Sequence, residues 1–218
     1  MPRRYDLIVF DWDGTLVDST QLIVDSILAA SADAGLTPPE PSAARGIIGL
    51  GLPEALRTLF GELSETQRQQ MTERYRYHYF AQDHAVPLFE GAADAIAGLA
   101  GRGHMLAVAT GKGRRGLDLS LQRCGLQQYF LATRCVDECS SKPHPQMLLE
   151  IMDELGAEAQ RTVMIGDTSY DLQMAQSAGV DSIAVGYGAQ PLESLLPYGP
   201  VAHFDNFTKL DQWLIMNA

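Results

Sequence analysis

The chain has 218 residues, enough to bury a substantial core and to carry one domain with a large insertion, or two small domains. Its 16 Lys and Arg against 27 Asp and Glu leave a formal charge of −11, which argues against general nucleic-acid binding because counterion release needs clustered cations. No apolar run approaches the roughly 20 residues of a membrane span, Met1-Pro2-Arg3-Arg4-Tyr5-Asp6 has no apolar signal-peptide region, and the cysteines Cys124, Cys135 and Cys139 have no zinc-site spacing and an odd count. A cytoplasmic protein with reduced thiols is expected.

Leu7 to Phe10 is a short apolar run of the kind a fully buried parallel strand uses. It ends in Asp11 and Asp13, followed by Gly14, which permits a sharp turn. Residues at i and i+2 of an extended backbone point the same way, so both carboxylates are expected to face one site beyond the carboxyl end of the strand. Such carboxylates repel and call for a cation, a shared proton or a chemical task; for an isolated Asp-x-Asp, a solvated acidic turn is the plain alternative.

Ile23, Ile27, Ala30 and Ala34 then have helical spacing, closed by Gly35. Pro38, Pro39 and Pro41 mark a break, and Arg45 to Leu52 reads as a glycine-rich loop. A second helix carries Leu52, Leu56, Leu59 and Phe60 on one side. Ser64-Glu65-Thr66-Gln67 has capping-box spacing for a third, continued by Met71, Tyr75, His78 and Tyr79, with His78 and Tyr79 expected to pack. From Asp18 to about Ala85 no convincing strand appears.

After Pro87, helical patterns (Ala92 to Leu99, Leu117 to Cys124, Leu148 to Leu155, Leu172 to Ala178) alternate with strand patterns at Met105 to Ala109, Leu131 to Thr133, Thr162 to Ile165 and Ser182 to Val185. Alternation of this kind implies parallel pairing through crossovers. The expected fold class is α/β: a doubly wound parallel-sheet core, residues 1–17 and 87–218, with an all-helical block inserted at 18–86. Three strand ends or helix starts carry further chemistry: Thr110-Gly111-Lys112, Ser141-Lys142-Pro143, and Gly166-Asp167 followed by Asp171. Taken singly, each also reads as a helix cap or a solvated charge.

Asp11-Trp12-Asp13-Gly14-Thr15-Leu16-Val17-Asp18-Ser19 resembles motif I of the haloacid dehalogenase (HAD) superfamily in its phosphatase form. Thr110, Lys142 and the pair Asp167 and Asp171 resemble motifs II, III and IV, in the family's order, and the resemblance spans about Leu7 to Val185. It implies a Rossmann-like HAD core with a C1-type helical cap, as in phosphoglycolate phosphatase-like members. It implies Asp11 as nucleophile, Asp13 as general acid and base, and Mg²⁺ held by Asp11, Asp167 and the Asp13 carbonyl, with Asp171 at the metal's water shell. Hard oxygen ligands suit that ion. Thr110, Gly111 and Lys142 would bind the phosphoryl group, and Arg45 is the cap candidate for a second anionic group; a hinge with a surface Arg is an equal reading.

The expected activity is hydrolysis of small phosphomonoesters, phosphoglycolate or a sugar phosphate, through an aspartyl-phosphate. A phosphomutase or pyrophosphatase of the same superfamily is the enzymatic alternative, and a HAD-like or receiver-like phosphate-binding module the non-enzymatic one. The expected partner is a small phosphorylated metabolite, with neither nucleic acid nor membrane, in a monomer or small homo-oligomer.

Overall fold

A computed structural model describes residues 4–83 and 86–218 of the chain; the expected Met1 to Arg3 lead and the end of the helical block at Ala85 lie outside the described residues. Strand β1 (Leu7–Phe10) is buried along its whole length. That burial follows from its place at the centre of a six-stranded sheet. β2 (Met105–Thr110), β3 (Ala132–Cys135), β4 (Thr162–Gly166), β5 (Asp181–Val185) and β6 (Ala202–Phe204) complete it in the order β3-β2-β1-β4-β5-β6. Every pairing is parallel, with Phe10 opposite Val108 on one side and Ile165 on the other.

Alternation along the strands builds two cores. Ile8, Phe10, Leu106, Val108, Val163 and Ile165 face one layer of helices, α5 (Ala92–Gly101), α6 (Arg114–Cys124) and α10 (Phe207–Asn217). Leu7, Val9, Ala107, Ala109 and Met164 face the other, α7 (Gln146–Leu155) and α8 (Ser169–Ala178). The strand order reverses between β1 and β4, so the carboxyl ends of β1, β2 and β4 open onto a crevice, where sheets of this kind bind ligands.

Between β1 and α5 lie α1 (Thr20–Asp33), α2 (Pro41–Gly46), α3 (Leu52–Phe60) and α4 (Glu65–Gln82), with no strand among the described residues. They share a core of their own, in which Leu22, Ile23 and Ile27 of α1 meet Ala44, Ile48 and Tyr79. The expected capping box at Ser64 is present: Ser64 Oγ accepts from the Gln67 N–H at 3.3 Å and Gln67 Oε1 from the Ser64 N–H at 3.1 Å. The chain leaves and re-enters the sheet layer side by side, with the Asp18 N–H donating to the Pro87 carbonyl at 3.0 Å and Phe89 N–H to Leu16 at 3.0 Å.

Two differences from the sequence reading concern local geometry. Arg45 and Gly46 close the short helix α2, so only residues 47–51 form the glycine-rich turn. The segment after Pro191 adds α9 (Leu192–Leu195), β6 and α10, which no period had marked. β6 has three residues, none fully buried, and an edge strand of that length leaves no apolar run to read.

Candidate active site

At the end of β1 the backbone turns sharply: the amides of Leu16 and Val17 both donate to the Trp12 carbonyl, at 3.0 and 3.1 Å. Trp12 points into the core, where its indole N–H donates to Ser120 Oγ at 3.0 Å. Asp11 and Asp13 on either side therefore face the crevice. Gly14 has a φ of +85°, and a Cβ there would stand 2.2 Å from Asp167 Oδ2, so the turn admits no larger residue without displacing that carboxylate.

Three carboxylates converge beneath this turn. One oxygen from each of Asp11, Asp167 and Asp171 lies within 4.8 Å of the others, and all three residues are buried. Asp167, at the β4 end, accepts from Thr15 Oγ1 at 2.9 Å and from the Ala189 N–H at 2.7 Å. Asp171 is the third residue of α8 and closes its capping box, accepting from the Thr168 N–H at 3.1 Å and Oγ1 at 2.7 Å. Lys142 is wholly buried beside them, donating to Asp171 Oδ1 at 2.6 Å and lying 2.8 Å from Asp11 Oδ1.

The charge of this cluster does not balance: one ammonium stands against three carboxylates. Burial pushes the Asp11 carboxyl well above the ordinary range, opposed by Lys142 and reinforced by Asp171 and Asp167. Asp167 is pushed up to about 7 by burial and by Asp171. Burial alone would lower Lys142, yet Asp11 and Asp171 hold it above the usual lysine value. Asp11 Oδ1 meets only the Lys142 ammonium and Oδ2 has no partner, which is costly for a buried carboxylate. An unpartnered oxygen, surplus negative charge and an all-oxygen donor set fit a hard divalent cation.

The Asp13 carboxylate stands apart from this cluster. It accepts from Ser19 Oγ at 2.7 Å and from Lys112 Nζ at 3.1 and 3.3 Å, while the metal role expected of this residue belongs to its backbone carbonyl. Thr110 ends β2 buried, with its Oγ1 accepting from the Lys112 N–H at 3.1 Å.

A cavity of about 540 Å³ opens above these groups, with Asp11, Asp13, Thr110, Gly111 and Lys112 among its lining. Its other wall comes from the helical block: Ile23 and Ile27 of α1, the turn at Ile47 to Leu50, and Tyr75 and Tyr79 of α4. The turn and the end of α2 are tied to two core loops and to α8. The Gly51 N–H donates to Ser141 Oγ at 2.9 Å, the Tyr170 hydroxyl to the Gly46 carbonyl at 3.2 Å, and a Cβ on Gly111 would lie 2.5 Å from the Gly49 carbonyl oxygen.

Arg45 is not brought to this cavity. Its guanidinium donates to Thr20 Oγ1 at 3.2 Å and Gln21 Oε1 at 2.9 Å, because α2 aims it along α1. His78 pairs with Asp33 at 2.7 Å on the outer face. Tyr79 does more than pack: its hydroxyl accepts from Lys112 Nζ at 2.6 Å. Ser19 and Tyr79 were not among the expected site residues, and Lys112 stood there only as part of the Thr110-Gly111-Lys112 strand end. For Ser19 the signal was present, six residues after Asp13 in the same turn; the approach of Tyr79 to Lys112 is a tertiary contact without a local pattern.

The family model for haloacid dehalogenase-like hydrolases matches residues 8–185. The chain is 34% identical over 210 residues to a Dickeya dadantii protein named probable phosphatase IndB, covering 94% of this chain and 91% of that one. It is 30% identical over 226 residues to a phosphoglycolate phosphatase of Rhodospirillum rubrum, covering 98% and 91%. A solved hydrolase from Pseudomonas syringae superposes with a TM-score of 0.88 at 20% identity, over 98% of this chain and 100% of the other, a likeness of fold.

Proposed function

This chain belongs to the family of haloacid dehalogenase-like hydrolases and is a phosphatase of that family, and we propose that it hydrolyses small phosphomonoesters through an aspartyl-phosphate on Asp11. The observation that carries the reading is the buried Asp11 carboxylate at the cavity floor, with Lys142 on one oxygen and no partner on the other. A carboxylate so placed is poised to attack an electrophile or to bind a cation.

In the proposed reaction an Asp11 oxygen attacks phosphorus as the ester P–O bond breaks, and Asp13 gives a proton to the departing alkoxide. Asp13 then takes a proton from the water that attacks the aspartyl-phosphate, which returns Asp11 and releases inorganic phosphate. Lys142 favours the ionised form of Asp11, and Thr110 with the Gly111 amide orients the phosphoryl oxygens. Mg²⁺, held by Asp11, Asp167 and the Asp13 carbonyl with Asp171 at its water shell, would supply positive charge to the transferring group when bound. We assign residues 18–86 the role of a cap that excludes water over a core of 1–17 and 87–218. We assign the chain a cytoplasmic setting, the reading its three free thiols support.

Phosphate release from a panel of small phosphates, with Mg²⁺ and with EDTA, tests this. Release from one or more compounds that EDTA abolishes is expected. Release from none of them, or release indifferent to EDTA, contradicts the reading.

A further inference from the structure

The cation best placed to meet a leaving group is not Arg45 but Lys112. Among the described residues, three cationic ones line the cavity, Arg76, Lys112 and Arg115, and both arginines are exposed. Lys112 is inside: its side chain is 8% exposed, and its ammonium contacts both oxygens of Asp13 and the Tyr79 hydroxyl. The same ammonium sits 4.3 Å from the centre of the Tyr79 ring, a cation–π arrangement. Its position is built rather than incidental. A Cβ on Gly116, in the first turn of α6, would come within 3.3 Å of the Lys112 Cγ and Cε, so the glycine makes the groove in which the lysine stem lies. Lys142 is committed elsewhere, to Asp11 and Asp171.

We propose that Lys112, oriented by Tyr79, is a specificity residue that contacts the substrate and selects phosphomonoesters whose leaving group carries a carboxylate or second phosphate close to the ester oxygen. The inference rests on the phosphatase reading, and its logic is positional. Asp13 is the group that must touch the ester oxygen as the bond breaks, so a cation bonded to both Asp13 oxygens stands within a few ångströms of the leaving group. An anion on the neighbouring carbon reaches the ammonium without moving the phosphoryl group. In a chain of net charge −11, with Asp11 and Asp13 on the cavity floor, such an anion needs a cation supplied on the spot. Tyr79 comes from α4, so the subsite is complete only with the helical block seated on the core.

The test compares phosphoglycolate with ethyl phosphate, similar in size but without a second anion, in the Mg²⁺-loaded wild-type protein and in Lys112→Met, Lys112→Arg and Tyr79→Phe. The wild-type protein is expected to favour phosphoglycolate by about tenfold or more in kcat/KM, as two opposed charges in a partly dry site imply. Lys112→Met should bring that ratio close to one through a rise in KM for phosphoglycolate, and Lys112→Arg should keep part of it. Tyr79→Phe, which removes only a hydroxyl, should lower the ratio in a protein with an unchanged melting temperature. An undiminished ratio in Lys112→Met, or equal use of both compounds by the wild-type protein, overturns the assignment while leaving the phosphatase reading standing. No Mg²⁺-dependent hydrolysis of any phosphomonoester by the wild-type protein overturns both.

Discussion

Lys142 is the only lysine or arginine among the buried polar residues of the described chain, and it faces Asp11 and Asp171 at once. Removing one partner of a buried ion pair leaves an uncompensated charge, which costs about 3 kcal/mol. Lys142→Met should therefore lower the urea midpoint by that equivalent and also stop turnover; an unchanged midpoint would show that Asp11 and Asp171 do not need it. The carboxylates also predict a linkage to metal. Asp167 is held near 7, above its ordinary value, so the metal-free fold favours its protonated form. That contribution to stability is complete below about pH 4, the ordinary aspartate range, and is lost as pH rises through about 7. A cation needs the ionised form, so the rise in melting temperature on adding Mg²⁺ should be larger at pH 8 than at pH 6. A shift that is the same or larger at pH 6 would contradict the metal assignment.

Among the elements, the turn between α2 and α3 decides whether the helical block can sit on the core. Its carbonyls at Gly49 and Leu50 approach Gly111 so closely that a methyl group would strike backbone oxygen at 2.5 and 2.8 Å. Gly111→Ala should hold the turn away from the β2 end and lower kcat/KM by about 100-fold, the usual scale for an ångström of misplacement. Wild-type kcat/KM in that variant would mean that contact between turn and core is not needed for turnover. The elements that set this geometry differ in how openly the sequence declares them. β1, β2, β4 and β5 each carry an apolar run because parallel central strands are covered on both faces, and each was legible from that run. β3 was read from Leu131 to Thr133 and lies at Ala132 to Cys135, a shift that partial exposure of Thr133 and Arg134 explains. Asp11, Thr110, Lys142, Asp167 and Asp171 each sit at a strand end or helix start, where local sequence marks them. Lys112, Tyr79 and the redirected Arg45 depend on how the helical block meets the core, which no local period encodes.

For the whole molecule, the sheet supplies rigid positions for charge and the helical block supplies the roof. The strand ends converge at the reversal of strand order, so residues from β1, β2 and β4 meet although up to 156 positions separate them in sequence (Asp167 against Asp11). The net charge of −11 is tolerable for an anionic substrate because the cavity carries its own cations, with Arg76 and Arg115 exposed and Lys112 within. The proposed function turns on one covalent event at Asp11. The measurement that addresses it most directly is a reaction with saturating phosphomonoester and Mg²⁺, quenched in acid within milliseconds, with the phosphorylated peptide mapped by mass spectrometry. The account predicts a phosphoryl group on Asp11 in the wild-type protein, and no adduct and turnover lower by about 1,000-fold or more in Asp11→Asn. An adduct on another residue, or phosphate released at the wild-type rate by Asp11→Asn, would contradict it.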